Sequence, residues 1–87
     1  MGILNNCTDL WYLMSDFFYK YKCTNGFIDP NDKDYYSFRK NGYLFIIKRL
    51  NNHNYEVRII KSLKAIDIRY YQLKSLEEVK KKILQYF

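Results

Sequence analysis

The sequence predicts a two-layer α+β domain: a four-stranded antiparallel meander flanked by an N-terminal and a C-terminal helix (order αββββα), with residues 1–87 forming a single domain. Three observations predict it. The first is the strand-like run Tyr43-Leu44-Phe45-Ile46-Ile47-Lys48-Arg49-Leu50, bracketed by the turn dipeptide Asn41-Gly42 and by Asn51-Asn52-His53-Asn54. Asn-Gly is a strong hairpin signal because both central residues of a type I′ turn need positive φ. The second is helical spacing of apolar residues over positions 6–22, and the third is the capping box Ser75-Leu76-Glu77-Glu78 ahead of a second amphipathic stretch.

Within residues 6–22 the apolar stripe is Cys7, Leu10, Trp11, Met14, Phe17, Phe18 and Tyr21. A stripe this wide is what a helix buries against a core, and Trp11 and Phe18 are the rings expected to anchor it. Residues 24–34 hold Asn25-Gly26 and Asp29-Pro30-Asn31-Asp32, a turn-rich acidic stretch. It lacks the alternating ligands of a calcium loop: Lys33 takes a ligand position, and neither the Gly at the sharp turn nor the closing Glu is present. It is read as a solvated connection.

Pairing of side chains sets an expected register. A two-residue turn at Asn41-Gly42 puts Phe38 opposite Phe45, Tyr36 opposite Ile47 and Lys40 opposite Tyr43. A tip at Asn52-His53 puts Arg49 opposite Glu56, Ile46 opposite Ile59 and Leu50 opposite Tyr55. A fourth strand at 64–72, after a turn at Ser62-Leu63, puts Arg58 opposite Asp67, Glu56 opposite Arg69, Val57 opposite Ile68 and Ile59 opposite Ile66. The alternation then gives a core face of Leu44, Ile46, Leu50, Tyr55, Val57, Ile59, Ile66, Ile68 and Tyr70. The other face carries Tyr36, Phe38, Tyr43, Phe45, Ile47 and Ile60, running into Arg49, Glu56, Arg58, Asp67, Arg69 and Tyr71. In the last helix Leu76, Val79, Ile83 and Phe87 form the apolar stripe, and Lys80, Lys81 and Lys82 fall largely opposite, as a solvated face suited to the helix dipole.

Size and composition bound the function. Eighty-seven residues with 48% hydrophobic and 20% aromatic content make a folded globule with one core. No apolar run approaches the ~20 residues of a bilayer span, and Met1-Gly2-Ile3-Leu4-Asn5-Asn6 has neither the basic start of a signal peptide nor a Ser or Thr for a myristoylation motif, so a cytoplasmic protein is expected. The net charge of +6 is uneven. Residues 1–34 are acid-rich and residues 35–87 strongly basic, a distribution that favours a polyanionic partner and equally serves solubility. Lys, Asn, Ile and Tyr supply 38 of the 87 residues. Their A/T-rich codons point to an A/T-rich genome such as those of low-GC bacteria, their phages and their plasmids.

Catalytic chemistry is not expected. His53, the one histidine, sits at a hairpin tip among Asn residues with no carboxylate or nucleophile beside it. Cys7 and Cys23 lie about 24 Å apart on a helix rising 1.5 Å per residue, so a disulfide is not expected, and two Cys with one His give no zinc spacing. No Gly-rich phosphate loop occurs. No cofactor, metal, membrane or small-molecule substrate is expected.

What remains is the face bearing Tyr36, Phe38, Lys40, Tyr43, Phe45, Arg49, Arg58, Arg69 and Tyr71, taken to be open. Rings beside arginines are the anchors of protein interfaces. The expectation is a small non-enzymatic protein that docks this face on a partner protein, or on a second copy of itself through the aromatic end. A phage or mobile-element inhibitor of a host nucleic-acid machine, anti-CRISPR-like, is the concrete form that small size, basic charge and A/T bias suggest. The same chemistry also serves single-stranded nucleic acid, with rings stacking on bases and cations tracking phosphates. In agreement with that alternative, the run Arg39-Lys40-Asn41-Gly42-Tyr43-Leu44-Phe45 followed by Lys74-Ser75-Leu76-Glu77-Glu78-Val79 loosely resembles the arm-type DNA-binding domains of tyrosine recombinases. The likeness spans about half the chain; the long aromatic first helix and the fourth strand depart from it.

Overall fold

A computed structural model describes residues 9–61 and 67–87. Its sheet is one antiparallel meander in the order β1 (Tyr35–Lys40), β2 (Tyr43–Asn51), β3 (Asn54–Lys61) and β4 (Ile68–Leu73). Helices α1 (Leu10–Leu13) and α2 (Ser15–Lys20) precede it, and α3 (Leu76–Leu84) follows. This is the αββββα order that the sequence predicts. The first helix is dented at Met14, yet the bonds from Met14 N–H to Leu10 and from Phe18 N–H to Met14 run through the joint. Residues 6–8 of the expected helix, Cys7 among them, lie outside the described residues. No helix among the described residues is long and apolar enough to cross a membrane.

The helix ends have local causes. After α2 the chain turns through Lys22, at φ 59°, with Cys23 N–H bonding Phe18 O at 2.7 Å and Lys22 N–H bonding Tyr19 O at 3.2 Å. These two bonds are a Schellman closure. At the start of α3, Ser75 Oγ accepts the Glu78 N–H at 3.2 Å. The Glu78 carboxylate reaches one residue further back than the capping box anticipates and accepts the Lys74 N–H at 2.7 Å. That bond clamps the β4–α3 junction.

Registers decide the faces. The Asn41-Gly42 turn has φ of 55° and 81°, and β1 pairs with β2 as expected: Phe38 with Phe45, Tyr36 with Ile47, Lys40 with Tyr43. The next hairpin departs from expectation by one residue. Asn51 pairs with Asn54 at the tip, but a bulge between Arg49 and Asn51 leaves Leu50 unpaired, and below it Arg49 meets Tyr55, Ile47 meets Val57 and Phe45 meets Ile59. An inserted residue of this kind moves every earlier side chain of the strand to the other face. Strand β4 also departs. It meets β3 as Ile60 with Ile68, Arg58 with Tyr70 and Val57 with Tyr71, and the expected partner Ile66 and positions 64–66 lie outside the described residues.

The core therefore forms on the side of β1 and β2 expected to be open, joined by Tyr55, Val57 and Ile59 of β3, which were expected inside. Tyr36, Phe38, Phe45, Ile47, Tyr55, Val57 and Ile59 from the sheet are buried with Leu10, Met14, Phe17 and Phe18 of the first helices and Val79 and Ile83 of α3. Both helical layers thus cover one face. The cluster is held by ring packing, with Phe18 stacked on Tyr36 at 4.3 Å, Phe38 on Phe45 at 4.9 Å, and Phe87 edge-on to Phe45 at 5.8 Å. Aromatic pairs of these geometries add to the area they bury.

Candidate interaction surface

The structure divides the nine residues expected to form one binding face. Tyr36, Phe38, Phe45 and Arg49 are buried, and Phe45 has no exposed surface. This corrects the expectation that they face a partner, and the bulge at Leu50 is the physical reason. Tyr43, Lys40 and Tyr71 are half-buried at the rim of the core: Tyr43 packs on Tyr86 at 5.3 Å, and Lys40 Nζ lies 5.3 Å from the centre of the Phe87 ring. The Tyr71 and Tyr86 hydroxyls share a 2.6 Å hydrogen bond beneath Lys82 Nζ. Arg69 is exposed at the margin, 3.6 Å from Asp67. Of the nine, Arg58 alone stands on the open face. A homodimer built through the aromatic end would need those buried rings, so that form of self-association is also corrected.

The open face is a grid that the registers write out. One row across the four strands is Arg39, Leu44, Ile60, Ile68; the next is Ser37, Ile46, Arg58, Tyr70; the third is Tyr35, Lys48, Glu56, Gln72. Leu44, Ile46, Leu50, Ile68 and Tyr70 had been expected inside. Instead Leu44, Ile46 and Ile60 keep part of their surface in water, while Ile68, Leu50 and Tyr70 are about half exposed, at 54%, 48% and 47%. Glu56 and Arg58 were read onto the outer face and are there.

Side chains on this grid hold one another in place. Tyr70 donates its hydroxyl proton to Glu56 Oε2 at 2.6 Å, and the Arg58 guanidinium lies 5.7 Å from the centre of the Tyr70 ring. That bond to a carboxylate pushes the Tyr70 hydroxyl above the ordinary tyrosine range, with desolvation adding to it. Glu56 is thereby engaged by Tyr70 and is also the cross-strand partner of Lys48. A hollow of about 160 Å³ opens among Tyr35, Ile46, Lys48, Glu56 and Arg58, and a second of about 410 Å³ runs from Phe27 past Tyr35 to Arg39 and Leu44.

Two residues escaped sequence reasoning. Asp34, read as part of a solvated loop, accepts from Arg49 Nε at 2.7 Å and lies 2.6 Å from Nη2, while its carbonyl accepts the Arg49 N–H at 2.8 Å. The Arg49 side chain, 6% exposed, is thus tied to the inner face instead of meeting Glu56. Phe27 exchanges backbone bonds with Ser37 and lies along the outer edge of β1. An acid just before a strand and an aromatic two turns earlier are weak signals, and neither has a spacing that marks it.

Among the described residues no group of three or more His, Cys, Asp or Glu could hold a metal ion. Cys23 is buried in the core, and desolvation raises its thiol pKa, with Lys40 opposing. Compared with protein-family models, curated proteins and solved structures, the chain matches none.

Proposed function

We propose that this is a small, non-enzymatic, cytoplasmic binding protein that docks the open sheet face on a partner protein. The observation that carries the reading is the character of that face: Ile46, Ile60 and Ile68 run across the sheet between Lys48 and Arg58 on one side and Arg39 on the other. Aliphatic side chains gain on the order of 1 kcal/mol each when the rest of their surface leaves water, and a cationic rim selects an acidic counterpart. The face is rigid, lying on strands whose other side is packed, so little ordering entropy opposes docking. An inhibitor of a nucleic-acid machine, from a phage or mobile element, is the form that agrees with the basic charge and the A/T-biased composition.

Three of the rings that would have stacked on bases, Tyr36, Phe38 and Phe45, lie in the core, which favours protein over single-stranded nucleic acid. Tyr35, Tyr70 and the three cations nonetheless keep the second reading specific enough to test. A tagged protein is used as bait in an extract of its native cell, beside Ile46→Asp and Lys48→Glu on the face and Lys81→Glu on α3. The expected result is an acidic protein captured by the wild type and Lys81→Glu and lost with both face variants. Capture that ignores the face variants, or submicromolar oligonucleotide binding that weakens with salt and with Arg58→Ala, overturns the reading.

A further inference from the structure

We infer that the free edge of β4 is where a second copy of this chain adds, joining two sheets into one continuous antiparallel sheet about a two-fold axis at Tyr70. The two edges of the sheet are treated differently. On β1, the outward backbone groups of Ser37 are taken by Phe27, with bonds of 2.7 and 3.2 Å, so a single bridge from the segment before the sheet covers the middle of that edge. On β4, Lys61 N–H donates to Asp67 O at 3.3 Å, which fixes the alternation of the ladder. Asp67, Arg69, Tyr71 and Leu73 aim their main-chain groups at β3, and Ile68, Tyr70 and Gln72 aim theirs outward. Among the described residues no backbone group meets them. The strand carries none of the usual protections of an edge: no proline, no bulge, and Arg69 as its one charge.

The occupant is a second copy because β4 complements itself. With the axis at Tyr70, Tyr70 pairs with its own copy and Ile68 with Gln72 of the second copy. All of these are outward-facing positions, so each pair exchanges both N–H···O bonds. Arg69 then meets Tyr71 of the second copy, avoiding its own like charge, and Asp67 meets Leu73. Moving the axis to Arg69 would set two guanidinium groups face to face, and moving it to Tyr71 would shorten the ladder. On the outer face the paired Tyr70 rings would make the two docking grids one surface, with Ile68 and Ile60 of each copy on either side.

Light scattering over a wide concentration range, with residue-resolved amide exchange, tests this. The expected mass is twice the 10.7 kDa of one chain. Ile68, Tyr70 and Gln72 amides should be protected in proportion to dimer, whereas Arg69 and Tyr71 are protected in the monomer too. Tyr70→Pro removes an N–H that β3 does not use, so it should return the mass to that of one chain with an unchanged circular dichroism spectrum. A single-chain mass at every concentration overturns the proposal, as does a dimer whose Ile68, Tyr70 and Gln72 amides exchange freely. So does a folded Tyr70→Pro variant that stays dimeric, or edge protection that appears only when another protein is added. If Tyr70→Pro fails to fold, the wild-type amide pattern decides. Ile46→Asp, which tests the docking face, should leave the mass unchanged, so the two readings fail separately.

Discussion

The inner and outer faces of β2 are both apolar, yet one is sealed and the other meets water. Phe45 and Ile47 lie under helices, while their neighbours Leu44 and Ile46 stay partly exposed. Hydropathy does not separate them. What separates them is the company brought by the helices and the C-terminal residues: Phe17, Phe18, Tyr86 and Phe87 offer rings, and Tyr36, Phe38, Tyr43 and Phe45 of the sheet pack in the same ring cluster. The outer face keeps aliphatics and cations, with Tyr35 and Tyr70 as its rings.

Matched substitutions on the two faces break or sharpen this contrast. The largest effect is expected at Phe45→Ala, which should cost about 3–5 kcal/mol in urea denaturation, against about 1 kcal/mol or less for Ile46→Ala. Equal losses would mean that both faces are sealed. Next comes the charged pair. Asp34→Ala takes the carboxylate from Arg49, whose side chain is 6% exposed. Its expected cost is roughly 2–3 kcal/mol, reduced from that of a fully buried pair because water reaches Asp34, whereas Arg58→Ala on the outer face should stay within about 0.5 kcal/mol.

The smallest contrast is between two tyrosines. At the inner rim Tyr86 is pushed up to about 12, first by its hydrogen bond to Tyr71 and then by desolvation. A raised folded-state value means that this bond stabilises fully below pH 10 and is lost as pH climbs from there toward 12. Tyr86→Phe should therefore lower stability by about 0.5–1 kcal/mol at neutral pH and flatten the alkaline fall. Tyr70→Phe, whose lost bond faces solvent, should leave the thermal midpoint at neutral pH unchanged.

Legibility in the sequence followed the chemistry of each strand. In β3, polar Glu56 and Arg58 alternate with Tyr55, Val57 and Ile59, and both faces could be read without the structure. The Asn41-Gly42 turn fixed the β1–β2 register, and the Ser75 cap located α3. In β2 five apolar residues run together from Tyr43 to Ile47, so period-two patterning had nothing to sort by, and one bulge reversed the outcome. For β4, matching charges across the ladder misled: Glu56 takes the Tyr70 hydroxyl in place of Arg69, and Arg58 lies on the Tyr70 ring in place of meeting Asp67. Of the residues expected to form one surface, Arg58 consequently lies on the open sheet face, while the others lie in the core, at its rim or at the margin of the sheet.

Leu50 gives the second hairpin an unusual property. Most hairpin tips absorb a gained or lost residue silently, because only the loop changes length. Here the extra residue sits inside the ladder, between the Arg49–Tyr55 and Asn51–Asn54 pairs, so deleting Leu50 would make the pairing regular and leave the lining and the outer coat of β2 where they are. The same loss between Tyr43 and Arg49 would turn part of the strand inside out, so the bulge is the place where this hairpin can shed a residue.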